Sequence, residues 1–385
     1  MTETTHARPV FRGPLDGQRP RPVRSLGGDP WLFVAVVALL ALGVVMVFNV
    51  GYFHGQQDFR DPYHFFRKHV VSIGVGLAAC LLTSRLPTAT WRRMAYPLLV
   101  GSIVSLVLVL VPGIGVVRGG ARRWLHLGPL VFQPTEVAKF ALVLFLAHSL
   151  AKKGPRVREF ALGIVPHCLV VGVIALLCLL EPDFGTVVLS AGVLVAMLFV
   201  GGVRVLHLAA LAIPALPLVV YEAFHAGYRM QRLLVFLDPM KDPQGVGFQL
   251  LQSLIAFGSG QVWGVGLGES RQKMFYLPAA HTDFIFSVIG EELGLAGAVL
   301  VLGLFAALGV RGFRIAVRHP DPFASLFAFG VTLLLLLEAA VNICVVLGCL
   351  PTKGLALPFV SYGGSAVLLA LAEVGVLLAV AREAG

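Results

Sequence analysis

A series of long apolar runs limits this chain more than any other feature. A helix needs about 20 mostly apolar residues to cross the hydrocarbon core of a bilayer. Ten segments qualify as candidate spans: Trp31–Val50, Val70–Ser84, Met94–Val111, Thr135–Leu150, Phe160–Leu180, Gly185–Gly202, Val205–Glu222, Asp283–Val310, Pro322–Leu350 and Gly364–Val380. Pro214 and Pro217 kink the seventh, which neighbouring helices in a bundle tolerate. Hydrophobic residues make up 57% of the chain and charged residues 13%, against about 25% charged in soluble domains. The expected fold is all-α, a polytopic membrane protein of about ten transmembrane helices.

The net charge is +10. In a soluble chain that balance points to nucleic acid. Here the basic residues punctuate apolar runs, so topology replaces nucleic acid as the explanation. One side collects the N-terminal arginines, then Arg85, Arg92, Arg93, Lys152, Lys153, Arg156, Arg158, Arg204, Arg311, Arg314, Arg318 and Arg382. The positive-inside rule makes that side cytoplasmic and places both termini there. Residues 1–29 read as a disordered cytoplasmic tail, and 30–385 as a single transmembrane domain. Four outer loops follow: Gly51–His69, Pro112–Pro134, the large one over 223–282, and Pro351–Gly363. Cys80, Cys168, Cys178, Cys344 and Cys349 lie in apolar runs without CxxC or Cys/His spacing, and read as small core residues.

Chemistry is expected in the outer loops. Asp283 stands where the large loop enters the eighth span. Partial desolvation there makes a carboxylate a better base; the plainer reading is a helix cap. His281 beside it either tunes the site or is structural. Arg122 and Arg123 lie outside against the topological bias, and forked guanidinium bonds suit phosphate. Glu136 and Lys139 are spaced as a local ion pair, yet a lysine at that depth needs a partner or a water-filled cavity. In LPTKGLALPFVSYGGS, prolines and glycines break the helix, and Lys353 and Ser361 are placed to face an anion or simply sit in a kinked loop. Asp183 in EPDFGT reads as a cap. Glu338 and Asn342, at i and i+4 in the ninth span, and Glu373 in the tenth are polar groups in a setting where such groups are costly. Residues 247–257 read as a half-apolar interfacial helix.

Taken together, GGARRW, QPTEVAK, EPDFGT, YLPAAHTDFIF and LPTKGLALPFVSYGGS resemble the motifs of the SEDS family (shape, elongation, division and sporulation) over Asp29–Val380. LPTKG with AHTDFIFSVIGEE looks more like its division branch than its elongation branch. Two positions depart from the family: Ala279, where an acidic residue is usual, and Glu338, where many members carry Gln.

The resemblance implies a peptidoglycan glycosyltransferase that polymerises lipid II with inversion and releases polyprenyl pyrophosphate. It makes Asp283 the general base. Arg122, Arg123, Lys139 and Lys353 then face the pyrophosphate, Glu136 and Ser361 line the same site, and Glu338, Asn342 and His281 line the cavity. It implies no organic cofactor and leaves room for a divalent cation, Mg2+ or Mn2+. The partners it implies are a class B penicillin-binding protein and other divisome proteins, in the bacterial cytoplasmic membrane. A lipid II transporter and an elongation-type polymerase are the alternatives.

Overall fold

The computed structural model describes residues 29–384 except 119–120, 128–129, 212, 214–226, 244, 246, 274–276 and 279. Three long helices come first: α1 (Pro30–Phe59), α2 (His64–Arg85) and α3 (Thr88–Leu110). Asp29 opens α1 as an N-cap, accepting from the amides of Trp31 and Leu32. A small antiparallel sheet follows: β1 (Gly115–Arg118), β2 (Ala121–Leu127) and β3 (Leu130–Phe132), in that order. Next come α4 (Pro134–Lys153), a one-turn α5 (Phe160–Gly163), α6 (Val165–Leu180) and α7 (Phe184–Val200). Beyond the undescribed stretch lie α8 (Gly227–Leu237), α9 (Phe248–Gly260) and α10 (Ile285–Glu292). The chain closes with α11 (Gly294–Arg318), α12 (Pro322–Val346) and α13 (Gly364–Ala384).

Among the described residues, eight helices are long and apolar enough to cross a membrane, and α7 is a shorter apolar helix. The fold is all-α apart from the sheet, and the protein is an integral membrane protein. The expected seventh span, Val205–Glu222, lies largely outside the described residues. Burial varies steeply among the spans: α4 is the most enclosed and α2 the least. Val71, Leu81 and Leu82 of α2 are exposed, which in water would be a liability and in lipid is ordinary solvation.

Several expectations need correction. The eighth span does not run unbroken from Asp283. It breaks at Leu293–Gly294 into a short, wholly buried α10 and a full-length α11, because Gly294 takes φ 65°, outside the helical region. The ninth span stops at Val346 rather than Leu350. The first outer loop shrinks to residues 60–63, because α1 continues to Phe59. The fifth span also steps at Ile164. Pro166 has no N–H for the carbonyl of Leu162, and the Lys153 ammonium donates to that oxygen instead at 2.8 Å. Residues 248–260 do form the expected helix, α9. Cys349 is exposed rather than in the core.

Polar contacts gather the loops at two ends. At one, Arg311 pairs with Asp29, Arg92 with Asp321, and Glu383 accepts from Thr88. At the other, Arg123 meets the α6–α7 turn and Arg232 meets the α12–α13 loop. Asp283 lies at this second end, beside Gly354.

Candidate active site

Asp283 does not cap α10. The cap position is Phe284, and it makes no side-chain cap bond. The carboxyl instead lies against the α12–α13 loop. A Cβ built on Gly354 would come 2.9 Å from its Oδ2, so only glycine leaves the carboxylate this room. Asp283 is half-buried. Burial pushes its pKa up to about 6, while Arg123 and Arg232 pull the other way.

The backbone around Asp283 is braced from three directions. Asn342 on α12 donates to the Asp283 carbonyl at 2.8 Å and to the Leu355 carbonyl at 2.5 Å. Ser361 Oγ donates to the Thr282 carbonyl at 2.5 Å and accepts from the Leu357 amide at 2.9 Å. The Tyr362 amide donates to the His281 carbonyl at 3.0 Å. Ser361 is fully buried, so it holds the loop and does not face a ligand. The His281 ring packs among His54, Phe65 and Tyr362. Burial holds its pKa down at about 4, so the ring is neutral.

Of the two adjacent arginines only one joins the site. The β1–β2 register pairs Val116 with Trp124 and Val117 with Arg122, which leaves Arg123 as the extra residue of a bulge. Bulges re-aim side chains. Arg123 reaches the α6–α7 turn, where Nε donates to the Glu181 carbonyl at 2.9 Å and Nη2 to the Pro182 carbonyl at 2.5 Å. These carbonyls fix the guanidinium without neutralising it. Arg122 turns back to the Leu110 carbonyl at 3.2 Å and stays out of the site.

Lys353 lies near the same bay, its ammonium 4.7 Å from the centre of the Phe184 ring. Burial lowers its pKa to about 8, with Asp183 opposing and Arg232 adding to the fall. Asp183 caps α7 through the amide and hydroxyl of Thr186. Arg232 comes from α8, and its Nη1 donates to the Thr352 carbonyl at 3.2 Å. Arg232 is the residue that sequence reasoning missed. The signal was available, since it is another arginine in a loop that the positive-inside rule assigns to the outer side.

Glu136 and Lys139 do not open onto this bay. Lys139 is 4% exposed and its ammonium sits between Glu136, at 2.9 Å, and Glu338. Two carboxylates already match its charge, so it enters the fold as an internal ion cluster rather than a free cation for pyrophosphate. Glu338 is that cluster's third member, and Glu373 is buried in α13. Ala279 lies outside the described residues. Glu181 is fully buried, its carboxylate oxygens have no hydrogen-bond partner among the described residues, and burial pushes its pKa up to about 8.

A family of cell cycle proteins, FtsW/RodA/SpoVE, matches residues 30–385. The chain belongs to that family, the SEDS family its motifs resemble. A probable peptidoglycan glycosyltransferase FtsW of Trichlorobacter lovleyi is 44% identical over 93% of this chain and 94% of its own length. Stage V sporulation protein E of Bacillus subtilis is 40% identical, over 92% of this chain and 97% of that one. Among solved structures, the rod shape determining protein RodA of Thermus thermophilus superposes with a TM-score of 0.68 at 32% identity, covering 93% of this chain and 97% of that one. A chain of a peptidoglycan synthase complex, in a structure concerned with coordinating polymerization and crosslinking, reaches a TM-score of 0.76 at 33% identity. It covers 94% of this chain and 99% of its own. A SEDS fold therefore carries the bay around Asp283.

Proposed function

We propose that this protein polymerises lipid II into glycan strands at the outer face of the bacterial cytoplasmic membrane, with Asp283 as general base. The observation that carries this reading is the setting of Asp283: half-buried, beside Gly354, with burial raising its pKa against the pull of Arg123 and Arg232. A carboxylate with a pKa near 6 is mostly ionised at neutral pH and basic enough to take a proton as the bond forms.

The chemistry balances without a further reagent. The 4-hydroxyl oxygen of one lipid II attacks C1 of the sugar at the pyrophosphate end of the growing strand. Its proton passes to Asp283. The bond from C1 to pyrophosphate breaks, C1 inverts, and polyprenyl pyrophosphate leaves with the electron pair. Arg123, Arg232 and Lys353 lie where their charge offsets the negative charge that develops on that leaving group. Among the described residues no three His, Cys, Asp or Glu converge, so Mg2+ or Mn2+ would be held mainly by the pyrophosphate oxygens, with one or two carboxylates from the protein. No step is routed through a metal.

The orientation rests on the loop arginines, with the Asp283 end outside and both termini in the cytoplasm. A class B penicillin-binding protein is the partner this reading favours, with other divisome proteins in septal wall synthesis. The transporter alternative has less support, because the deep polar residues Lys139, Glu136 and Glu338 close on one another. The test is polymerisation of lipid II by purified protein in liposomes, alone and with the penicillin-binding partner. Glycan chains are expected on gels. Their absence in both settings, with lipid II moved between leaflets, would establish transport instead.

A further inference from the structure

Glu291 and Glu292 end α10, and both are buried. Two neighbouring carboxylates inside protein need a hydrogen bond or counter-charge on each oxygen. The loop that precedes Asp283 supplies them. Lys273, 1% exposed, donates to Glu292 Oε1 at 3.2 Å, to Asn49 Oδ1 at 2.7 Å and to the carbonyl of Gly268. Asn49 on α1 closes the ring by donating to Glu292 Oε2 at 2.5 Å. Glu292 Oε1 also accepts from the Ser270 amide at 3.2 Å. Glu291 accepts from the Ser270 hydroxyl and from the amides of Arg271 at 3.1 Å and Gln272 at 3.4 Å.

The backbone joins the same knot. The amides of Val265 and Gly266 donate to the carbonyls of Glu291 and Glu292 at 3.0 and 3.1 Å. Gly264 has φ 81°, and a Cβ there would lie 2.1 Å from the Glu292 carbonyl oxygen, so only glycine lets this loop pass the end of α10.

The topology gives these contacts a purpose. Lys273 precedes Asp283 and Glu292 follows it, so their ion pair closes the 273–292 segment into a loop with Asp283 near its middle. Asn49 ties that closure to α1. A buried ion pair is a weak source of stability compared with a well-packed apolar pair, whereas it fixes one register among alternatives. Asn342 and Ser361 brace the chain at Asp283, before the start of α10; the Lys273 cluster holds the other end of α10, at Glu292.

We infer that Lys273, Glu292 and Asn49 form a clasp that positions Asp283 against Gly354 for the transfer, without touching substrate. This rests on the reading of Asp283 as the base. The test compares Lys273→Met, Lys273→Arg, Asn49→Ala and Asp283→Asn in the full-length protein, per folded molecule. The readouts are kcat and KM for lipid II polymerisation and the acidic limb of the rate–pH profile. Lys273→Met is expected to lower kcat by about 10–100-fold, with KM little changed and the acidic limb moved away from pH 6. Lys273→Arg is expected to restore most of kcat. Asn49→Ala, which keeps the ion pair but cuts its tie to α1, should lose less in the same direction, and it decides the matter if Lys273→Met does not fold. Wild-type kcat and an unmoved limb in Asn49→Ala and in folded Lys273→Met, beside an inactive Asp283→Asn, would overturn the clasp alone. A fully active Asp283→Asn would overturn the base reading itself.

Discussion

Two ionic regions of this protein use the same side-chain types and reach opposite ends. Around Lys139 the charges close: one ammonium is held between two carboxylates, almost out of reach of solvent. Beside Asp283, Arg123 is held differently. Arg123 is held by two backbone carbonyls, and Asp283 feels Arg123 and Arg232 without forming a tight ion pair with Arg123. A charge matched by an opposite charge has little left for a ligand. A charge fixed by carbonyl dipoles keeps nearly all of it, in a place where low dielectric magnifies its effect. Counting charged residues therefore does not locate the site; asking what holds each one does.

The sharpest way to break this contrast is Asp283→Asn. The amide keeps the shape but cannot take a proton at neutral pH. Lipid II polymerisation should fall by about 10²–10⁴-fold, while the melting temperature of the same purified protein stays put, because the side chain caps no helix. Near-normal turnover would return the bay to a structural role.

A paired comparison sharpens it. Arg123→Ala removes an open charge and should lower kcat by about 10²-fold with little change in Tm. Lys139→Met removes the counter-charge of a closed cluster and leaves the buried Glu338 and the half-buried Glu136 without their ammonium. It should cost about 3–5 kcal/mol of stability, read as a lower Tm in detergent. Were Arg123→Ala to melt early and stay active, or Lys139→Met to leave Tm unchanged, the distinction between open and closed charge would be wrong.

The smallest effect is in pH. Below about pH 6 Asp283 takes up a proton, so the rate should fall toward tenfold per unit on the acid side. Above about pH 8 Lys353 loses its charge, so the rate should fall again. Lys353→Arg should extend the alkaline limb upward, since a guanidinium stays charged. An alkaline limb unmoved in that variant would take Lys353 out of the site.

Much of this was legible in residue order. Apolar run length marked the eight described helices that are long and apolar enough to cross a membrane, and the shorter apolar α7, because crossing a membrane is a demand on consecutive residues. The placement of Asp283 at a loop boundary and the cap role of Asp183 were legible for the same reason. The break at Leu293–Gly294 was harder, since α10 is as apolar as a span yet is enclosed by protein rather than lipid. Hydropathy does not distinguish those two surroundings.

Sequence by itself determined that the chain must be a helical membrane protein with polar loops between its spans, because apolar length and charge are local properties that no tertiary contact can undo. Only the tertiary structure decided which of Arg122 and Arg123 meets Asp283, that Arg232 joins them, and that Lys139 is spent inside the bundle. Those outcomes turn on one bulge and on partners far apart in the chain, such as Lys139 with Glu338 and Lys273 with Asn49. An electrostatic interaction depends on distance in space, and distance in space between remote residues is fixed by packing, not by spacing along the chain.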